Sequence, residues 1–160
     1  MQPAKIEIIN GHTAQWIPVV RTMFLQYADW LKIDLCFQGF DQELRTLPGD
    51  YAPPKGGLFL ALSDEEVAGC AALRHWSDDV GEMKRLYVRD DFRGMGIGKR
   101  LILRVLDEAK AIGYKSIRLD TLPMMGAAIA MYRAQGFKEI APYRENPVPG
   151  ALYFELKLTG

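Results

Sequence analysis

Three things are scarce in this chain: net charge, cysteine and long apolar runs. Twenty Lys and Arg residues offset twenty Asp and Glu, so the formal net charge is zero. A neutral chain has no global field drawing it to nucleic acid or an anionic membrane, and both are set aside as partners. The two cysteines, Cys36 and Cys70, fit neither a zinc site nor a redox pair. They are expected to be reduced, mostly buried thiols in a cytoplasmic protein, with no metal. No apolar stretch approaches membrane-spanning length, and the opening MQPAKIEIIN lacks the charged-then-apolar pattern of a signal segment. Repeats and low-complexity segments are also absent. At 160 residues, one domain with a real core is the expectation.

What is present falls into alternating and helical runs. KIEII (5–9) alternates as a strand. Thr13 is placed to cap a helix on which Ile17, Val20, Phe24, Tyr27 and Leu31 share one face. FDQELRTL (40–47) reads as a shorter helix, and PGDYAPPKGG (48–57) is loop chemistry. Three strand-like runs follow, LFLAL (58–62), VAGCAAL (67–73) and GEMKRLYV (81–88). From Ile97 to Ile112 the period becomes helical, with Gly113 where a C-terminal cap belongs. KSIRLD (115–120) reads as a strand, GAAIAMYRAQ (126–135) as a helix and GALYFELKL (150–158) as a last strand. The order implies an α+β (mixed α/β) domain: a mostly antiparallel sheet with one βαβ crossover.

The crossover contains RGMGIGKR (93–100), three glycines among basic residues between a strand and a long helix. A Walker loop requires Ser or Thr after its Gly-Lys, and here Arg100 follows Lys99. A dinucleotide fingerprint is spaced G-x-G-x-x-G, whereas these glycines stand at 94, 96 and 98. The physics of anion binding survives both mismatches. The first N–H groups of a helix have no internal partner and carry partial positive charge. Bare backbone at Gly94, Gly96 and Gly98 lets a diphosphate approach them closely. Arg93, Lys99 and Arg100 can add charge.

Arg93-Gly94-Met95-Gly96-Ile97-Gly98 resembles the Arg/Gln-x-x-Gly-x-Gly/Ala signature of the GNAT superfamily, the acetyl-CoA-dependent N-acetyltransferases. EMKRLYVRDDFRGMGIGKRLI is similar to that family's fourth strand, pyrophosphate loop and third helix. YKSIRLDT is similar to its fifth strand, and AIAMYRAQGFKEI to its A-x-x-x-Y-x-x-x-G-F segment. The likeness covers roughly residues 58–158, the sheet and cofactor core, and leaves 1–57 as acceptor-side helices and loop. It implies a sheet splayed between its fourth and fifth strands, with helices on both faces and acetyl-CoA as co-substrate. Backbone groups of Leu86, Tyr87 and Val88 are then expected to pair with the pantetheine arm, as an added strand pairs with a sheet edge. Those of Arg93, Gly94, Met95, Gly96, Ile97, Gly98 and Lys99 are expected to hold the pyrophosphate. An N–H near Tyr87 or Val88 would stabilise the oxyanion of a tetrahedral intermediate.

The implied reaction is attack of a primary amine on a thioester. The amine arrives protonated, and the departing thiolate benefits from a proton donor. Tyr132 occupies the family's tyrosine position and is the candidate acid, against the plainer role of a core aromatic. Glu82 is the candidate base, against that of a solvated carboxylate at a strand end. His75 is a lesser alternative base, and Asp120 and Thr121 are read as capping or turning residues. Met125 stands where many relatives carry an asparagine that touches the cofactor arm.

The acceptor side transfers least. Asp29, Asp34, Asp41 and Glu43, interleaved with Tyr27, Trp30 and Phe37, would suit a cationic amine, against the plainer reading of a wet helical face. Tyr143, Arg144 and Asn146 could orient a substrate carboxylate or carbonyl. A small-molecule amine and a peptide or protein amine both stay open, as does a homodimer. The competing class is a non-catalytic acyl-CoA sensor that keeps the glycine loop without turnover.

Overall fold

Alternation of apolar residues, broken by turns, dictates a sheet. A computed structural model describes residues 3–32 and 39–158 and contains one of seven strands. In chain order the elements are β1 (Ile6–Asn10), α1 (Ile17–Leu31), α2 (Phe40–Thr46), β2 (Gly57–Ser63), β3 (Glu66–Ser77), β4 (Val80–Val88), α3 (Ile97–Ile112), β5 (Ser116–Thr121), α4 (Gly126–Ala134), β6 (Lys138–Ile140) and β7 (Leu152–Lys157). The sheet order is β1-β2-β3-β4-β5-β7-β6. Every neighbouring pair is antiparallel except β4 and β5, which α3 joins by the expected crossover.

Each face of the sheet buries one helical layer. Ile97, Leu101, Ile102, Val105 and Leu106 of α3 recur at helical spacing and pack on Phe59, Ala71, Leu73 and Met83. On the other face Val20, Met23 and Phe24 of α1 meet Leu58, Leu60, Cys70 and Ala72. Burial pushes the Cys70 thiol up and keeps it protonated; Cys36 lies outside the described residues. The helix α3 ends at Gly113, whose φ of 105° lets its N–H reach the carbonyls of Ala109 and Lys110. Among the described residues, no helix is long and apolar enough to cross a membrane.

Three local expectations need correction. The first helix begins at Ile17 with Trp16 as its cap residue, and Thr13 contributes its carbonyl to the turn before it. Pro18 near the helix start favours that later entry, because a missing N–H is harmless there. The strand β3 continues through Arg74, His75 and Trp76 to Ser77, since β4 supplies partners as far as Val80. The short β6 forms as an edge strand on β7.

Two features of β4 position everything that follows. It pairs with β5 only from Val80 to Glu82, so the two strands diverge beyond that point. It also carries a bulge: the register with β3 shifts between Cys70 and Ala72, where Arg85 adopts a φ of 61°. Lys84 and Arg85 consequently serve the same face, the one under α1 and α2. Arg85 is clamped there by Glu43, whose carboxylate accepts from its Nε at 2.9 Å and from its Nη2 at 2.8 Å.

Candidate active site

The divergence of β4 from β5 opens a narrow cleft of about 40 Å³ on the α1 face. Lys84, Asp120, Thr121, Tyr27 and Tyr132 line it. A larger groove of about 400 Å³ runs beside it toward the start of α3. Leu86 and Met125 line both, so cleft and groove meet at these two residues.

The groove gathers every residue anticipated for the cofactor except Met95 and Lys99, whose side chains face solvent. Gly94 (φ 81°) and Gly96 (φ 76°) adopt left-handed backbone, and nothing within 4 Å would meet a side-chain carbon at either. Their requirement for glycine is thus conformational, and the space in front of them is open. No side chain caps α3, and its first hydrogen bond of this kind runs from Arg100 N–H to the Gly96 carbonyl at 3.2 Å. The helical ladder therefore leaves the N–H groups of Ile97, Gly98 and Lys99 unused. These donors, bare backbone and a helix N-terminus fit a diphosphate. Arg93 instead turns back: its Nε donates to the Val88 carbonyl at 3.1 Å, and its guanidinium stacks 4.7 Å from the Trp30 ring. Met124, Met125 and Met131 make the opposite wall apolar.

Tyr132 is buried in the cleft, its ring 5.6 Å from Phe137. Burial, with Tyr27 and Asp120 nearby, raises its phenol well above the ordinary value, so it holds its proton at neutral pH. Glu82 is fully buried and heavily engaged. It accepts from Arg74 Nε at 2.8 Å, from Tyr143 Oη at 2.7 Å and from Arg144 Nη2 at 2.6 Å. Burial alone would raise its pKa, but Lys84, Arg74, Arg144 and the Tyr143 hydrogen bond outweigh it and hold the carboxyl below its usual range. The loop before β7 delivers Tyr143 and Arg144 to this spot and stacks Arg144 5.0 Å from Trp76. Asn146, also on that loop, reaches Asp120 at 3.4 Å.

Two residues matter more than their sequence context indicates. Lys84 Nζ lies 3.8 Å from Asp120 Oδ1, and both side chains are buried. Burial lowers the Lys84 pKa to about 8, against the opposing pull of Asp120 and Glu82. Asp120 thus belongs to the cleft instead of serving as a turn residue. The legible signal was Lys84-Arg85 itself, two successive cations that break period two within a buried strand. His75 takes the other face, 6.3 Å from the Tyr114 ring, away from this cleft. The acidic acceptor patch also disperses. Asp29 and Asp41 face solvent, Glu43 is spent on Arg85, and Asp34 and Phe37 lie outside the described residues.

The acetyltransferase (GNAT) family model matches residues 24–137. The chain is 33% identical over 161 residues to an uncharacterised N-acetyltransferase of Schizosaccharomyces pombe, covering 99% of each. An acetyltransferase of the GNAT family from Staphylococcus aureus superposes with a TM-score of 0.79 at 22% identity, over 97% of this chain and 100% of that one. A Salmonella typhimurium structure solved with its cofactor acetyl-CoA superposes at 0.66 and 17% identity, over 98% and 95% of the two chains.

Proposed function

The chain belongs to the GNAT acetyltransferase family and is an acyltransferase, and on that premise we propose that it moves the acetyl group of acetyl-CoA to the primary amine of a small acceptor by direct attack. The observation that carries this reading is the junction at Leu86 and Met125. It joins a groove suited to a diphosphate and an extended arm to a cleft holding proton-transfer groups.

In this reading the backbone at Gly94, Gly96, Ile97 and Gly98 receives the pyrophosphate. The β5-facing edge of β4 beyond Glu82, which has no strand partner, receives the pantetheine arm through Leu86, Tyr87 and Val88. When bound, the thioester supplies the electrophilic carbonyl. An N–H at Tyr87 or Val88 stabilises the developing oxyanion. Tyr132, kept protonated by burial, donates to the departing sulfur.

Two groups contend for the ammonium proton. Glu82 is surrounded by donors and is a poor acceptor, so we assign it to holding Arg74 and Arg144 in place. Lys84 lies in the cleft, and with a pKa of about 8 its neutral form is accessible near neutrality. We assign it the proton.

Thiol release from acetyl-CoA, with labelled acetyl followed into a cell extract, tests the proposal. Enzyme-dependent label in small molecules supports it. Label in protein alone replaces the small acceptor by a peptide amine. Binding of acetyl-CoA with label in neither fraction moves the reading to a sensor.

A further inference from the structure

A second cavity, of about 290 Å³, lies on the same face of the sheet between α2, the 3-10 turn Gly49–Tyr51 and β3. Tyr51 is 2% exposed, and its buried hydroxyl makes no hydrogen bond of good geometry, although the Glu43 carboxylate is near enough to help raise its pKa. A buried hydroxyl left unpaired costs stability, on the order of a lost hydrogen bond. Tyr51 lines this cavity together with Arg74. Glu82 occupies the Nε of Arg74, and among the described residues the terminal nitrogens of that guanidinium make no hydrogen bond. The other polar groups of the wall are engaged or outward-facing. Glu43 gives both oxygens to Arg85, the Thr46 hydroxyl donates to the Gln42 carbonyl, and Asp50 is exposed. What the cavity offers a ligand is a guanidinium edge and a phenol, both donors. A planar, singly charged acceptor with two oxygens matches them, because Glu82 already offsets part of the Arg74 charge.

The cavity adjoins the cleft. Glu43 lines the first and grips Arg85, which lines the second. Arg74 stands opposite Glu82 in the β3–β4 register, two residues from Lys84. From Glu82 to Leu86 the strand advances about 10 Å, since the bulge residue Arg85 adds no net rise, a span that an acceptor with its two ends several bonds apart can cover in part. We propose that this cavity holds the carboxylate of the acceptor, gripped by Arg74 and the Tyr51 hydroxyl, so that the substrate class is an amine bearing a distant carboxylate. The inference rests on the acetyl-transfer reading for its amine end only.

The test compares glycine, γ-aminobutyrate and ε-aminocaproate, each beside the amine that lacks its carboxylate, by thiol release from acetyl-CoA. Wild-type protein should prefer the longer acids to their parent amines. In Tyr51→Phe and in Arg74→Gln that preference should fall about tenfold or more, through KM. Tyr51→Phe is the decisive variant. Its hydroxyl makes no hydrogen bond of good geometry and lies near the Glu43 carboxylate, so the melting temperature should change little while the preference falls. Equal rates for acids and amines in the wild type, or an unchanged preference in Tyr51→Phe, would overturn the proposal. If neither acids nor amines are acetylated, the transfer reading is at fault and calorimetric titration with ε-aminocaproate decides the cavity. Heat in the wild type that is lost in Tyr51→Phe upholds it, and no heat in the wild type overturns it.

Discussion

Lys84→Met isolates the group on which the proposed proton transfer depends. In the folded protein burial sets the Lys84 pKa at about 8, against 10.5 for an unburied lysine. The unfolded chain therefore binds more protons than the folded one between these values. Stability contributed through this group rises as pH increases across that window, and the deficit is fully present below it. A gap of about 2.5 units at 1.36 kcal/mol each makes the deficit roughly 3 kcal/mol. About 2 kcal/mol of it should be recovered between roughly pH 7.5 and pH 10. Methionine keeps the volume and removes the titration. Urea unfolding at both pH values, for wild type and variant, reads the difference directly. The wild type should gain about 2 kcal/mol relative to Lys84→Met on going to the higher pH. Parallel pH dependence in the two proteins would refute the buried, depressed amine and with it the assignment of Lys84 as base.

Tyr132→Phe should leave acetyl-CoA binding in place and lower kcat at least a hundredfold, the usual share of a general acid, by steady-state kinetics. Gly96→Ala places a side chain on a backbone φ of 76°, which costs about 1–2 kcal/mol. Its KM for acetyl-CoA should rise several-fold, and an unchanged KM would show that the loop does not carry the pyrophosphate. Glu82→Gln removes a fully buried charge between Arg74 and Arg144, so a loss of about 3–5 kcal/mol in denaturant unfolding is expected. A wild-type unfolding curve would mean that the guanidinium groups hold their positions without it.

Most helices and strands of residues 58–158 were legible because their apolar periods are long and uninterrupted, as in Ile97–Ile112, whereas the three-residue β6 and the polar end of β3 carry no such period. The glycine loop was legible for a chemical reason, since left-handed backbone at a helix start has few alternatives to Gly94 and Gly96. What the sequence concealed was pairing across distance. Nothing local in Glu82 reveals that Arg74, Tyr143 and Arg144, up to 62 residues away, converge on it. Tyr51 sits in a stretch whose prolines and glycines announce only a loop, yet its ring packs edge-on to Phe24 at 6.0 Å and the residue lines a cavity. Thr13 misled because a helix cap is chosen by the residues that follow it, and Pro18 allowed a later start.

The bulge at Arg85 changes how mutations can act on this strand. Up to Lys84 the even-numbered residues face α1, and beyond the bulge the odd-numbered Tyr87 does, while Met83 and Leu86 take the α3 side. The half of β4 proposed for proton transfer and the half proposed for the cofactor are therefore written in opposite parity. Point changes can tune one half without crossing into the other. Losing the single codon for Arg85 would restore plain alternation and keep both halves on their layers, whereas losing one elsewhere in the strand would turn Glu82 and Lys84 or the residues beyond the bulge toward the wrong layer. Substitution is therefore an open route along the whole strand, whereas insertion and deletion are tolerable in phase only at the bulge itself.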